Sequence, residues 1–220
     1  MLLKLGFLGG TFDPIHLGHL RSAEEIAEHL GLDKVYLIPS AQPPHKTADP
    51  VSDFSRRMAM TRMAANNSPR LDVLDLEGRR PGLSYSIETL RELNSLFSSS
   101  AKIYFIVGTD AFFEIKTWKS YKDLFKYADF VLVERPGFPL TQVPFMLSDL
   151  GIGASPQTGQ PAFILPTGRS ITLLSVTHMD ISSTRIRELR SMGRSIRFLV
   201  PEAVCDYILR EGLYISHGTR

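Results

Sequence analysis

The sequence predicts an α/β fold: a doubly wound, mostly parallel sheet with helices on both faces and a small C-terminal helical part. Three observations carry that expectation. Apolar runs of strand length alternate with segments of helical periodicity, and such alternation builds parallel sheets covered on both sides. The first apolar run passes through a glycine-rich turn straight into a helix, a layout that turns backbone N–H groups and a positive helix end toward an anion. A length of 220 residues suits one α/β domain with a substantial core, so residues 1–220 are read as a single domain.

Taken in order, residues 2–8 form the first strand and residues 9–19, Gly-Gly-Thr-Phe-Asp-Pro-Ile-His-Leu-Gly-His, the turn. The first helix carries Leu20, Ala23, Ile26, Ala27 and Leu30 on one face and stops at Gly31. A strand over 34–38 ends at Pro39, and a helix over 54–65 is expected to be capped by Ser52 or Asp53. Strand 71–76 precedes a loop containing Arg79-Arg80-Pro81-Gly82. A helix over 85–97 follows, with Ile87, Leu90 and Leu93–Asn94 on one side. Residues 102–107 read as a fully buried strand ending at Gly108, and 129–134 as a strand ending at Arg135-Pro136-Gly137. From 138 to 168 Pro, Gly, Ser and Gln are frequent, which predicts an irregular surface excursion. Its Gly151 and Gly153 do not complete a dinucleotide fingerprint, because Pro156 holds the third glycine's position. A strand over 171–176 and helices over 183–192 and 201–211 close the chain; residues 183–220 form the C-terminal helical part. No repeat and no Gly-x-x-x-x-Gly-Lys-Ser/Thr loop is present.

A formal charge of +2, from 25 basic and 23 acidic residues, argues against a dedicated nucleic-acid surface. The single cysteine, Cys205, excludes an intrachain disulfide and a cysteine-cluster metal site, and its helical setting reads as core. The opening residues run directly into the glycine turn, leaving no room for a signal-peptide cleavage site, and no apolar stretch approaches membrane-spanning length. The expectation is a cytoplasmic protein without nucleic-acid or membrane partners; the oligomeric state is open, a homo-oligomer included.

The chemistry concentrates in two clusters. His16 and His19 lie three residues apart, on one side of the first helical turn, with Gly18 between them presenting no side chain to a bulky ligand. A single such histidine is more often a cap or a half-buried core group, and a lone Gly-Gly is usually only a turn. The conjunction of strand, Gly-Gly-Thr, Pro, His-x-Gly-His and helix exceeds what folding needs, and two imidazoles beside a phosphate-sized hole point to chemistry at phosphorus. The second cluster is Asp180-Ile-Ser-Ser-Thr-Arg-Ile-Arg187. Hydroxyls there are good N-caps, but three in a row leave spare donors beside two arginines, which makes a second phosphate seat. Two seats at opposite ends of one domain suggest a polyphosphate held between them. His29 and His217 read as surface groups, and His178 is left without a role.

His-x-Gly-His resembles the signature of the nucleotidyltransferase superfamily, and with residues 181–187 the chain looks like a bacterial nicotinate-nucleotide adenylyltransferase. Further segments match in the same order: Pro43-Pro44-His45-Lys46, Ser84-Tyr85-Ser86 with Thr89-Leu90, Gly108-Thr109-Asp110, Thr117-Trp118, Arg135-Pro136-Gly137, and Leu199-Val200-Pro201 through Gly212-Leu213-Tyr214. The resemblance implies a Rossmann-like nucleotidyltransferase fold and the joining of ATP to nicotinate mononucleotide. The product is deamido-NAD, formed in NAD biosynthesis by in-line attack on the α-phosphorus without a covalent intermediate. By that resemblance His16, His19, Lys46 and Arg187 are catalytic. Gly9, Gly10, Thr11, Phe12, Gly18, Gly108, Asp110, Arg135, Ser183 and Thr184 would hold ATP. Ser84, Tyr85, Ser86, Trp118 and Lys119 would hold the mononucleotide. Ser86 stands where relatives often have Thr, and Lys119 where they have an aromatic, which removes an expected contact. Mg2+ would arrive with ATP, with no dedicated protein ligand. Competing readings are adenylyl transfer to nicotinamide mononucleotide or phosphopantetheine, cytidylyl transfer, and a non-catalytic nucleotide sensor.

Overall fold

The computed structural model describes residues 2–43 and 51–215. Among the described residues eight strands form one sheet: β1 (Leu3–Gly10), β2 (Lys34–Pro39), β3 (Leu71–Val73), β4 (Ala101–Gly108), β5 (Asp129–Val133), β6 (Ser155–Pro156), β7 (Ala162–Ile164) and β8 (Ser170–Leu174). Their order is β3-β2-β1-β4-β5-β8-β7-β6, with every pairing from β3 to β8 parallel and the β8-β7-β6 edge antiparallel. After β1 the chain builds outward through β2 and β3, then returns to place β4 on the other side. The crevice beyond the carboxyl ends of β1 and β4 is therefore the topological switch point, where open α/β sheets bind ligands.

Alternation along the strands sends side chains to two apolar layers. Phe7, Ile103, Phe105 and Phe130 pack under α3 (Ser86–Phe97), α4 (Thr109–Phe113), α5 (Tyr121–Leu124) and α6 (Val143–Leu150). Leu37, Tyr104, Ile106 and Val131 pack under α1 (Leu17–Leu30), α2 (Phe54–Ala65), α7 (Ser183–Ser191) and α8 (Glu202–Arg210), where Cys205 is buried. Gly31 closes α1 in the left-handed conformation, at φ 58°. Among the described residues no helix is long and apolar enough to cross a membrane.

The structure differs from the sequence reading at several places in the fold, β3 among them, which ends at Val73 instead of 76. Residues 138–168 are not an irregular excursion: α6, β6 and β7 lie there, and Val143, Leu147, Leu150, Ala162 and Leu165 are buried. These elements span two to eight residues and are separated by glycines in left-handed turns, too short for a periodic signal to emerge. The Gly-Gly pair belongs to β1, extending it by two residues beyond the expected end. Finally, neither Ser52 nor Asp53 caps α2 with its side chain; the Ser52 N–H instead donates to Asp13 Oδ2 at 3.0 Å.

Candidate active site

A cleft of about 690 Å³ opens at the switch point. Gly9, Gly10, Thr11, His16 and His19 form one side of it, and Gly108 and Asp110 the end of β4. Ser84, Ser86, Thr89 and Trp118 form the opposite side, while Arg135 and the segment from His178 to Thr184 complete the rim. Residues far apart in the chain thus share one wall-to-wall space.

The two histidine rings stack with centroids 3.6 Å apart. His16 is the N-cap residue of α1, and its N–H donates to His19 Nδ1 at 3.3 Å. Because Nδ1 accepts, the neutral His19 ring carries its proton on Nε2. Phe12 lies buried beneath, its ring edge against His19 at 5.1 Å, and does not line the cleft. A side chain on Gly10 would run into the Phe12 ring, 2.8 Å away. At Gly18 the missing side chain makes room for the His16 ring, 3.1 Å from where a Cβ would lie, rather than for a ligand.

His16 is 6% exposed, and burial followed by the charge of Arg135 lowers its pKa to about 4. It is therefore neutral at pH 7, and its buried Nδ1 has no hydrogen-bond partner among the described residues. In the unfolded chain the same group titrates at 6.5, so below that pH the unfolded state takes up the proton first. The stability this contributes is complete above pH 6.5 and is lost as pH falls toward 4, about 3 kcal/mol over the full span. Melting curves at pH 7 and pH 4.5 are expected to show a smaller drop for His16→Asn than for the parent protein. Equal drops would mean that this imidazole is not held neutral.

The hydroxyl cluster joins the glycine turn directly. Ser182 caps α7, accepting from the Arg185 N–H at 3.1 Å. Ser183 Oγ donates to the Pro14 carbonyl at 2.8 Å, and Arg187 Nη1 donates to the Asp13 carbonyl at 2.8 Å. Ser183 and Thr184 line the cleft; Arg187 does not, being turned to the backbone of the turn. The hydroxyl cluster and the glycine turn, expected at opposite ends of the domain, stand edge to edge. Arg135 donates its N–H to the buried Thr109 Oγ1 at 2.9 Å and lies beside Gly108, where a side chain would collide with Asp110 and crowd Arg135.

Across the cleft, Ser84 Oγ accepts from the N–H groups of Ala41 and Gln42, at 3.0 and 3.1 Å. Tyr85 is the N-cap residue of α3 and lies outside the cleft wall. Lys119 also turns away: its ammonium bonds Glu88 Oε1 at 2.6 Å and sits 4.5 Å above the Tyr85 ring. Lys46 falls outside the described residues.

Three supports escaped the sequence reading. Buried Asp13 accepts the Tyr214 hydroxyl at 2.6 Å, and burial together with that carboxylate raises the Tyr214 pKa. Thr89 Oγ1 donates to Glu77 at 2.7 Å and accepts from Arg80 at 2.6 Å. Arg57, 1% exposed, donates to four main-chain carbonyls around the turn. A signal for Arg57 did exist: residues 57, 60, 61 and 64 share one helical face, and the other three, Met60, Thr61 and Ala64, are small or apolar enough for a core.

The sequence model of the cytidylyltransferase-like family matches residues 7–189. A probable nicotinate-nucleotide adenylyltransferase from Geobacter metallireducens is 40% identical over 216 residues, covering 96% of this chain and 98% of the relative. One from Syntrophotalea carbinolica is 42% identical, covering 97% and 98%. Among solved structures, the nicotinic acid mononucleotide adenylyltransferase of Plasmodium falciparum complexed with NaAD superposes with a TM-score of 0.74 at 19% identity, over 96% of this chain and 97% of that one. At that identity the superposition bears on the fold alone: a mostly parallel sheet with the same arrangement.

Proposed function

The chain belongs to the cytidylyltransferase-like family and, within it, to the nicotinate-nucleotide adenylyltransferases, and on that premise we propose the reaction and the part each residue takes in it. The protein transfers the adenylyl group of ATP to the 5′-phosphate of nicotinate mononucleotide, releasing pyrophosphate and forming deamido-NAD. The observation that carries this reading is the single cleft in which the stacked His16–His19 pair and the hydroxyl cluster face the Ser84–Ser86 and Trp118 wall. That space has one side suited to polyphosphate and another suited to a flat ring.

In this reading the mononucleotide phosphate attacks the α-phosphorus in line and no covalent enzyme intermediate forms. The transition state asks the protein for alignment and charge stabilisation. The Gly9–Thr11 backbone and the His19 Nε2–H donate to the α-phosphate oxygens. A neutral His16 adds a donor, and ATP itself would raise that ring's proton affinity by its negative charge. Ser183 and Thr184 hold the outer phosphates, Arg135 flanks the adenosine, and Lys46 pairs its charge with the phosphates. Arg187 acts by holding the Asp13 carbonyl, and through it the turn. Trp118 stacks on the pyridine ring. A divalent cation brought by ATP would supply charge neutralisation at the phosphates. Octahedral Mg2+ commonly takes substrate phosphates and water as ligands. The whole of residues 1–220 is read as one such domain, acting on small molecules, at work in the cytoplasm.

The test is pyrophosphate release from ATP with nicotinate mononucleotide, nicotinamide mononucleotide and phosphopantetheine supplied in parallel. Turnover is expected with the first. Turnover with phosphopantetheine alone would move the chain to another acceptor, and ATP binding without release for any acceptor would make it a sensor.

A further inference from the structure

We propose that Arg57 is a positioning residue that sets the spacing between the two substrate seats, an inference that rests on the adenylyl transfer proposed above. An arginine 1% exposed is tolerated only when its N–H groups are used. Here Nη1 donates to the Thr11 and Ser40 carbonyls, both at 2.7 Å, Nη2 to Ala41 at 3.1 Å, and Nε to Ser52 at 2.8 Å. Burial works against the charged form, and the carboxylate of Asp13 works for it. The cation therefore braces the end of β1 against the loop leaving β2, from a helix that belongs to neither.

The brace extends across the cleft. In a trans peptide a carbonyl and the following N–H point in opposite directions. With the Ser40 and Ala41 carbonyls held by Arg57, the N–H groups of Ala41 and Gln42 are turned to Ser84 Oγ, at 3.0 and 3.1 Å. The Ser84 N–H in turn donates to the Gln42 carbonyl at 2.9 Å. One guanidinium thus reaches the phosphate turn by a single bond and the mouth of α3 through two peptide planes. Each seat is built of its own residues, so each keeps its ligand when the brace loosens. What changes is their separation, and in-line attack requires reacting atoms within about 3–3.5 Å.

The product reads this directly, because deamido-NAD spans both seats while an ATP analogue and the mononucleotide each occupy their own part. Calorimetric affinities for the three ligands, with kcat and KM, are to be compared in the parent protein, Arg57→Lys and Ser84→Ala. Lysine keeps the charge but cannot hold four carbonyls with one ammonium. Arg57→Lys is expected to bind the separate ligands within about twofold of the parent, Ser84→Ala to keep the ATP analogue within that range, and both to lose about 30-fold in deamido-NAD affinity and in kcat, on the scale of a small misplacement. All three affinities falling together would make Arg57 a fold-stabilising group only. Unchanged product affinity and kcat would overturn the brace. Should Arg57→Lys fail to fold, Ser84→Ala carries the comparison from a half-buried loop. In that variant a mononucleotide affinity that falls as far as the deamido-NAD affinity would identify a substrate contact and reject the relay. A parent protein that binds neither mononucleotide nor deamido-NAD would overturn the adenylyl-transfer reading itself, and the brace with it.

Discussion

His19→Ala is expected to lower turnover by about 10²–10³-fold, the scale of losing one preorganised donor to developing charge. The geometry concentrates that role in one atom. The His16 N–H donates to His19 Nδ1, so the neutral ring carries its proton on Nε2. The Phe12 edge and the His16 face leave the ring little freedom, so the donor is aimed before substrate arrives. ATP affinity should fall much less, because the turn amides, Ser183 and Thr184 remain. Steady-state kinetics with pyrophosphate detection, beside ATP binding by calorimetry, separates the two quantities. An alanine variant with near-normal turnover removes this ring from the mechanism.

A preference for the acid of at least about 10²-fold in kcat/KM over nicotinamide mononucleotide is the second expectation, equivalent to about 2.7 kcal/mol. Carboxylate and carboxamide have nearly the same shape, so the site must discriminate by charge and hydrogen-bond polarity. Two candidates stand out in the sequence: the donors at the start of α3, and Lys119. Their positions relative to the cleft differ. Lys119 is spent on Glu88 and the Tyr85 ring and lies outside the cleft wall, whereas Ser84 and Ser86 line it. The first N–H groups of a helix have no partner within it and carry its positive end. They satisfy both oxygens of a carboxylate but face the amide's NH2 as donor against donor, and a site left with unpaired polar groups rejects its ligand strongly. Lys119→Met should therefore leave the preference within about twofold, a small change for an exposed ion pair. A collapse of the preference in that variant would return the ammonium to the substrate. Equal efficiency of the parent protein on acid and amide would overturn the acceptor assignment.

Legibility followed the range of the interaction. The glycine turn, the histidine spacing and the hydroxyl cluster could be read because each is a local device. A strand end, a helix cap and an i, i+3 pair are complete within a few residues. So were the long amphipathic helices and the strand at Ala101–Gly108, whose seven residues from Ala101 to Val107 are all buried except Lys102. The helix over Phe54–Ala65 was placed correctly, but its content was not. Arg56 and Arg57 are adjacent and chemically identical, and only the rotation of about 100° per residue puts one in water and the other under the turn. Gly18 was assigned open space because nothing local says that the His16 ring fills it.

By itself, then, the sequence determined the α/β class, the first strand–turn–helix unit, and the two clusters for which phosphate chemistry is proposed. Tertiary structure alone decided that the clusters meet, through Ser183 on Pro14 and Arg187 on Asp13, across 169 and 174 residues. It likewise decided that Lys119 faces Glu88, and that β6 and β7 extend the sheet as an antiparallel edge. The physical reason is the same in each case. A carbonyl, a carboxylate or a sheet edge takes whichever donor the packed chain brings to it, and that choice has no local signature in the order of residues.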